Sequence, residues 1–421
     1  MKKVPKRRFK GFLNAGDWEQ RKLISCIQKV IDFRGRTPNK LGMEWSCSGH
    51  LALSALNVKD GYIDFSQDNH YGDNDLYEKW MTGNELHKGQ VVFTTEAPMG
   101  NVAQIPDNER YILSQRTVAF CVDENIITEN FLAVLLRTPV VFKTLTKLSS
   151  GGTAQGISQK SLAEIEVRIP PNLHEQQIIS NFLLSFEHCI TLHQRKLEKL
   201  QATKKALLYE LFPIENSRRP KLRFKGFTGD WEQRKLGELL EQPITDGPHE
   251  TPELYDSGIP FISVDAIIDN KIDFTKMRGC ISKEYDDICA KKYKPQINDV
   301  YLVKSGATIG KVAIVDTYDD FNIWSPLAAM RCGSITNPYF LYVLLQTKDL
   351  QTQVFNKASH GTQPNLSMRQ LETFACKVPK IEEQILISRF FKRLNDSITL
   401  HQRKLEKLKN LKAAYLNEMF V

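Results

Sequence analysis

Two long stretches of the chain place apolar and polar residues with the period of an α-helix. The first follows Pro171, has Asn172 placed to cap a helix and Glu175 three residues later, and contains no proline or glycine before Pro213. The second begins after Pro379 and continues to the C-terminus. We therefore expect two helices of about 40 residues, each roughly 60 Å long at 1.5 Å per residue.

The chain is an internal repeat. Residues 190–200 and 398–408 both read ITLHQRKLEKL, and both halves also contain the octapeptide GDWEQRKL. Since solenoid units run only roughly 20–50 residues, a repeat of about half the chain indicates two whole domains in tandem. The junction segments are nearly identical, whereas the interiors, roughly 24–150 and 237–358, have diverged almost completely. One scaffold therefore carries two different tasks.

The apolar positions of both helices follow 3-4 spacing with one lysine at matching places, which is typical of a coiled-coil seam whose polar position fixes register. Because the chain runs domain, helix, domain, helix, the simplest pairing is antiparallel and relates the halves by a pseudo-twofold axis. The alternative is two separate amphipathic helices, each packed on its own domain. The predicted seam consists of Leu197, Leu200, Lys204, Leu207, Leu211, Leu405, Leu408, Lys412, Tyr415 and Met419.

The interiors combine apolar runs of strand length with short helical segments, which predicts an α+β class for both domains. The predicted strands include residues 91–93, 118–120, 300–303 and 312–315, and the predicted short helices cover 130–138 and 338–347.

Composition says more about the cellular compartment of the protein than about its function. A net charge of +8 with a pI near 8.9 is only a weak indication of a polyanionic partner. The sequence has no apolar run of about 18 residues, no signal-peptide core and no cysteine spacing typical of zinc sites. We expect a soluble cytoplasmic protein with no metal site in this chain.

The sequence shows no catalytic constellation. The segment 306–312 resembles a phosphate-binding loop, but it is one residue short between its glycines and has Val312 where a hydroxyl must ligate magnesium. Asn337-Pro338 resembles part of an adenine-methyltransferase motif without the second proline, and fits the start of a helix better.

Basic side chains in loops and at strand ends of the interiors are candidates for DNA contacts, because Arg and Lys neutralise phosphates or read guanine edges. The alternative for many of them is solvated surface charge. A Gly-Thr loop precedes each long helix, and its threonine either donates to a phosphate or belongs to a structural turn. The candidates are Arg34, Arg36, Lys40, Arg116, Thr153, Arg278, Lys291, Lys292, Lys304, Lys311 and Thr362.

Taken together, these features resemble the specificity (S) subunits of type I restriction–modification systems. The resemblance spans essentially the whole chain and is carried by the openings PKRRFKGF and GDWEQRKL, the helix starts IPPNLHEQQII and VPKIEEQILI, the Gly-Thr loops and the twin ITLHQRKLEKL segments. It implies target-recognition domains at residues 1–165 and 214–375. It also implies conserved helix regions at 166–213 and 376–421, which act as a ruler between the domains.

The resemblance further implies a non-catalytic subunit that binds double-stranded DNA, two methyltransferase (M) subunits and restriction (R) subunits. Adenine-N6 methylation, ATP-dependent cleavage and the binding of S-adenosylmethionine, ATP and Mg would then belong to the partners. Two diverged interiors would read a bipartite, asymmetric target with half-sites about one duplex turn apart, roughly 34–36 Å. The alternatives are a helical scaffold without base reading and a stand-alone DNA methyltransferase or nuclease.

Overall fold

The computed structural model describes residues 4–67, 69–149, 155–359 and 364–421. The chain divides into two compact units: unit 1 comprises Met1–Gln194 with Arg403–Val421, and unit 2 comprises Arg195–Gln402. Both units mix helices and strands, which confirms the predicted α+β class. Each division falls inside one of the two long helices.

The first half of the chain has the following elements. Its strands are β1 (Glu19–Lys22), β2 (Ile27–Asp32), β3 (His50–Leu53), β4 (Val58–Lys59), β5 (Tyr62–Ile63), β6 (Tyr71–Gly72), β7 (Val91–Thr94), β8 (Val102–Gln104), β9 (Tyr111–Leu113), β10 (Thr117–Val122) and β11 (Glu166–Ile169). Its helices are α1 (Asn74–Met81), α2 (Glu129–Leu136), α3 (Pro139–Leu148), α4 (Gln159–Ala163) and α5 (Leu173–Glu210).

The second half repeats this order with small differences. Its strands are β12 (Glu232–Lys235), β13 (Thr245–Asp246), β14 (Ile259–Ile262), β15 (Ile267–Ile268), β16 (Lys271–Ile272), β17 (Gly279–Ile281), β18 (Val300–Val303), β19 (Val312–Ile314), β20 (Asn322–Ile323), β21 (Leu327–Met330) and β22 (Ala375–Val378). Its helices are α6 (Lys283–Ala290), α7 (Pro338–Leu344), α8 (Lys348–Lys357), α9 (Met368–Glu372) and α10 (Ile381–Glu418).

The main sheet of unit 1 has the strand order β2-β10-β7-β8 and is antiparallel. Alternate residues of β7 point into different cores: Val91 and Phe93 pack in the core that contains α2, whereas Val92 packs in the core that contains α1. Burial on both faces explains why the central strands are continuous apolar runs. The second core is closed by a smaller sheet in which β3 pairs in parallel with β9.

Unit 2 contains the matching sheet β13-β21-β18-β19, together with a parallel pair between β14 and β20. A comparison of strand register in the two main sheets shows which residues of the diverged interiors are equivalent. Asp32 of β2 lies opposite Val118 of β10, and Asp246 of β13 lies opposite Ala328 of β21, at the same place in the sheet. Asp32 and Asp246 are therefore structural equivalents.

The repeated opening and helix-start segments form one buried ion pair in each unit. In unit 1, Arg8 donates through Nε and Nη2 to both carboxylate oxygens of Glu175, at 2.6 and 2.7 Å. In unit 2, Arg223 binds Glu383 in the same way at 2.7 and 2.8 Å. Both glutamates are buried, so the arginine of RFKGF and the glutamate of the helix start depend on each other.

The glutamine that follows each buried glutamate ties the long helix to the sheet domain. The side-chain oxygen of Gln176 accepts from the backbone N–H of Thr128 at 3.0 Å. Its Nε2 donates to the carbonyls of Ile126 and Pro170. Gln384 makes the equivalent three bonds in unit 2. A buried side-chain amide with all these partners fixes the start of the long helix relative to the loop before α2 in unit 1 and the loop before α7 in unit 2.

A phenylalanine beyond the end of each long helix packs against the repeated tryptophan. In unit 1, Phe420 lies 5.9 Å from Trp18 and 5.7 Å from Phe131 between ring centroids. In unit 2, Phe212 lies 5.7 Å from Trp231. The tryptophan of the repeated GDWEQRKL segment is therefore a core residue, and the residue that follows a long helix packs against it.

Two residues of the predicted helix seam belong to the globular cores. Met419 belongs to the unit 1 core, and Leu211 belongs to the unit 2 core. These apolar ends follow helical spacing because each buries one face against a sheet domain. In both cases that domain comes from the other half of the chain, unlike the alternative in which each helix packs on its own domain. Leu197 and Leu405 are buried within the middle of their helices.

Within unit 1, the α10 segment runs against the first part of α5. The ring centroids of Tyr415 and Phe186 are 5.6 Å apart, and Nζ of Lys412 lies 3.0 Å from a carboxylate oxygen of Glu187. The residue number rises along α5 while it falls along α10, so these two segments are antiparallel.

The two seam lysines occupy different surroundings. Lys412 has the carboxylate of Glu187, whereas Lys204 donates to the side-chain oxygen of Gln346 at 3.0 Å. Burial, with the nearby charge of Lys271, lowers the pKa of Lys204 to about 8. A lysine with an amide partner in a half-buried position destabilises unit 2 while it is protonated.

We predict that Lys204→Met stabilises the chain at pH 7 by about 1–3 kcal/mol, because it removes a charge that is only partly solvated. Between pH 8 and about 10.4 the unfolded state binds more protons at this site than the folded state does. Wild-type stability should therefore rise with pH across that window, and the variant should lose this rise. Thermal unfolding from pH 7 to pH 10 measures both effects.

Lys412→Met is the matched control, since it deprives Glu187 of a partner and should lower the melting temperature slightly. A melting temperature of Lys204→Met at pH 7 as low as that of Lys412→Met would contradict the prediction.

Candidate nucleic-acid interface

One end of the main sheet gathers loops from distant parts of unit 1. The backbone N–H of Thr95, after β7, donates to the carbonyl of Arg116, before β10, at 2.8 Å. Glu96 pairs with Gly156 in an isolated bridge. Asp32 ends β2 beside them. The described chain resumes at residue 155, so Thr153 lies outside the described residues.

Unit 2 brings the equivalent loops together at the same end of its sheet. Lys304 donates its backbone N–H to the carbonyl of Pro326 at 2.9 Å, and Ser305 pairs with Asn365 in an isolated bridge. Thr362 lies outside the described residues. We name this region of each unit the sheet end: in unit 1 it comprises Asp32, Arg34, Thr95, Glu96, Gln115 and Arg116, and in unit 2 Asp246, His249, Lys292, Lys304, Ser325 and Pro326.

The sheet end of unit 1 is organised around a paired carboxylate. Arg34 donates through Nε and Nη2 to Asp32, and through Nη1 to the carbonyl of Ile157 at 3.2 Å. Gln159 adds a bond to Asp32 at 2.7 Å. Burial opposes ionisation, but the bonds from Arg34 and Gln159 outweigh it and hold the pKa of Asp32 below its usual value. Arg34 therefore ties β2 to the segment before α4.

The equivalent carboxylate of unit 2 takes its cations from other parts of the chain. Lys292 donates to Asp246, which is fully buried. Nζ of Lys304 and Nε2 of His249 lie 3.2 and 3.3 Å from the second oxygen of Asp246, both without hydrogen-bond geometry. The predicted residues Lys292 and Lys304 are thus brought together, around a carboxylate that the sequence analysis did not single out.

Several predicted DNA-binding residues are engaged with the protein itself. Arg36 donates to the carbonyl of Trp80, Lys40 to that of Gly35 at 2.6 Å, and Lys311 to that of Ile267 at 3.1 Å. A contact with DNA would require each of them to give up an internal bond, so the structure assigns them first to local stabilisation.

Arg278 is paired with a carboxylate of the protein but is more exposed than the residues just described. Its Nε lies 2.7 Å from Asp265, and its guanidinium lies 5.2 Å from the ring centroid of Trp324. About half of each charged side chain is exposed. Since exposed ion pairs contribute little, Arg278 can exchange Asp265 for a phosphate at small cost.

Arg116 and Lys291 are the predicted cations most available to an external anion. Arg116 is 53% exposed and its nearest carboxylate oxygen, on Glu96, is 4.0 Å away. Lys291 is exposed at the end of α6, and its side chain has no hydrogen-bond or ion-pair partner in the described part of the chain. Pairing, which a sequence does not display, separates these two from the other candidates.

The described ranges show neither a metal site nor a membrane span. No group of three or more His, Cys, Asp or Glu side chains among them is placed to hold a metal ion. None of the helices within these ranges is both long and apolar enough to cross a membrane.

The segment that resembles a phosphate-binding loop is a strand connection. Residues 304–311 connect the antiparallel strands β18 and β19.

Comparison with known proteins gives consistent matches. The sequence model described as "Type I restriction modification DNA specificity domain" matches residues 58–202 and 228–410. The type I restriction enzyme EcoBI specificity subunit of Escherichia coli is 25% identical over 306 residues, which cover 68% of this chain and 63% of that protein, less than two thirds of its length.

A second relative and a solved structure match over nearly the whole chain. The putative type I restriction enzyme MjaX specificity subunit of Methanocaldococcus jannaschii is 22% identical, with 95% of this chain and 92% of that protein covered. The crystal structure of a type I restriction-modification system S subunit from M. genitalium has a TM-score of 0.67 at 14% identity and covers 99% of both chains. This structural likeness shows the fold.

The pairing of each cation predicts what its removal will do. Lys291→Ala should weaken DNA binding equally for all sequences and reduce the slope of log K against log salt by about 0.9, without changing the melting temperature. Arg34→Ala should lower the stability by about 1–3 kcal/mol, since it strips Asp32 of its cation, and should leave the salt slope unchanged.

Salt-dependent binding titrations and thermal unfolding of both variants check this pair of outcomes. A reduced salt slope with an unchanged melting temperature for Arg34→Ala would show that Arg34 contacts DNA after all.

Proposed function

Because the chain belongs to the family of type I restriction modification DNA specificity domains, we propose that it selects the DNA target of a type I restriction–modification complex. Double-stranded DNA binds at the two sheet ends, and each unit reads one half of a bipartite, asymmetric target. This chain is the specificity subunit, and catalysis belongs to partner subunits.

The observation that carries the proposal is the contrast between the two sheet ends. Asp32 and Asp246 occupy the same position, yet Arg34 neutralises the first and Lys292 with Lys304 the second. Equivalent frameworks with different side chains are what two readers of different half-sites require. A good bidentate base contact is worth about 1–3 kcal/mol, so a few contacts per unit suffice when two units act together.

The partners follow from the same proposal. Two methyltransferase subunits, to which restriction subunits add, supply adenine-N6 methylation and ATP-dependent cleavage. S-adenosylmethionine, ATP and Mg bind to those subunits. The support for this division of labour is that the matched relatives carry the name of specificity subunits.

Exchange of one interior tests target selection. Replacement of residues 24–150 by the interior of another member of the family should change only one half of the methylated sequence, because the other unit keeps its own sheet end. Sequencing of methylated adenines in cells that contain the partners, with wild-type, exchanged or no chain, measures the outcome. A change in both half-sites would refute independent reading.

The same experiment separates the other functions. Methylation that is independent of this chain's interior would favour a helical scaffold without base reading. Methylation or cleavage by the purified chain alone would favour a stand-alone enzyme.

The helices present the same exposed residues twice. Residues 190–200 and 398–408 are identical, including Leu192 and Leu400, which are each about half exposed. Elsewhere on the two helices, exposed positions have diverged, as at Asn181 and its equivalent Arg389. Surface positions tolerate change unless something binds them, so two identical surfaces support two copies of one partner.

The shared exposed side chains include a cluster of three cations on each helix, which we name the duplicated basic faces. One comprises Arg195, Lys196 and Lys199, and the other comprises Arg403, Lys404 and Lys407. Residues spaced by three or four along a helix lie on one side of it. A methyltransferase subunit with an acidic surface is the partner whose charge complements these faces.

Charge reversal on the duplicated basic faces tests the assembly role. Arg195→Glu with Lys199→Glu should remove one methyltransferase subunit from the complex, and Arg403→Glu with Lys407→Glu should remove the other, while the four changes together should remove both. Mass measurement of the assembled complexes reads the stoichiometry directly.

Lys205→Glu is the control, because Lys205 is an exposed cation of the same helix outside the identical block. An unchanged stoichiometry in the fourfold variant would reject the duplicated basic faces as the docking surfaces.

A further inference from the structure

A cavity of about 350 Å³ opens beside the sheet end of unit 1. Trp45 and His70 line one part of it, with their rings 5.7 Å apart, and Gln115 and Arg116 line another. An aromatic wall that faces a hydrogen-bonding pair is typical of a site that recognises a flat polar group.

The turn that carries Gln115 and Arg116 is held rigidly. The backbone N–H of Ser114 donates to the carbonyl of Leu53 at 2.9 Å, and the hydroxyl of Thr117 donates to that carbonyl at 3.0 Å. Arg116 has a φ of 62°, in the left-handed region that residues other than glycine rarely adopt. A strained residue that its neighbours hold in place is a feature of functional sites.

Neither of these two side chains is committed to the protein. Gln115 is exposed and has no hydrogen-bond partner in the described ranges. Arg116 has only Glu96 at 4.0 Å, and the two side chains are 53% and 45% exposed. An exposed pair at this distance is weak, so Arg116 is free to donate to a ligand.

The equivalent turn of unit 2 lacks this pair. The contacts that place Arg116 in unit 1 place Pro326 in unit 2, and Ser325 stands where unit 1 has Gln115. Proline offers no side-chain donor. The pair therefore belongs to the first interior alone, as a residue that distinguishes one half-site from the other must.

From these observations we infer that Arg116 is a specificity-determining residue of the first half-site. It donates bidentately to O6 and N7 of one guanine in the major groove, and Gln115 contacts the neighbouring base pair. Arginine to guanine is the commonest specific base contact, because the two donors match the two acceptors. This inference rests on the proposed function and names the residues through which unit 1 carries it out.

The test uses the complete complex with its methyltransferase partners and a library of targets in which the first half-site is randomised. Arg116→Gly is the decisive variant: it removes the guanidinium, and glycine adopts the left-handed conformation without strain. Its melting temperature should equal or exceed that of the wild type. Discrimination at a single guanine position should fall about 10–100-fold, while all other positions and the second half-site stay unchanged.

Gln115→Ala should affect the neighbouring base pair in the same library. Arg110→Gln is the control, because Arg110 is an exposed cation of unit 1 whose partner is Glu78 at 3.0 Å and which does not line the cavity. It should leave the sequence profile intact.

Two outcomes would overturn the inference. An unchanged profile for Arg116→Gly excludes base reading by Arg116, and an equal loss for all sequences with a smaller salt slope identifies a phosphate contact instead. If the wild-type complex shows no sequence preference in the first half-site, the proposed function itself fails. That result is distinct from either of the other two.

Discussion

The buried ion pair at the start of each long helix is the constraint on which the rest of the fold depends. Arg8 with Glu175, and Arg223 with Glu383, join the opening segment of each half to its long helix. A buried ion pair adds little net stability over a well-packed apolar pair, but loss of one partner strands a charge away from water. A substitution of either residue alone would therefore be costly, which explains why these segments have stayed alike in both halves.

This constraint separates the part of each unit that must stay constant from the part that can vary. Gln176, next to Glu175, hydrogen-bonds the loop before α2, and α2 packs on the main sheet. The helix start, the loop and the sheet are therefore held as one framework. The sheet end makes no hydrogen bond with Glu175 or Gln176 in the described residues, so its side chains can change without disturbing the buried ion pair at the helix start. Such a division suits a recognition protein.

The sequence was sufficient for the elements that local patterns specify. Both long helices, the buried strands around Val91 and Val300, and the cap at Asn337 follow from periodicity, apolar runs and capping chemistry. The equivalence of Asp32 and Asp246 was not accessible, because it depends on strand register across a sheet. The same holds for the cations: only three-dimensional pairing shows that Arg34 is occupied while Arg116 is available.

The sheet ends also show why several residues of one interior have to change together. The contacts of Thr95 in unit 1 are those of Lys304 in unit 2, so the position that supplies a cation to Asp246 supplies none to Asp32. Arg34, two residues beyond Asp32, takes over that role. A lysine in place of Thr95 would add a second cation beside Asp32, with which Arg34 already pairs. A threonine in place of Lys304 would remove one of the lysines that pair with Asp246. Recognition residues that neighbour such a pair can therefore be replaced safely only together with the cation that neutralises it.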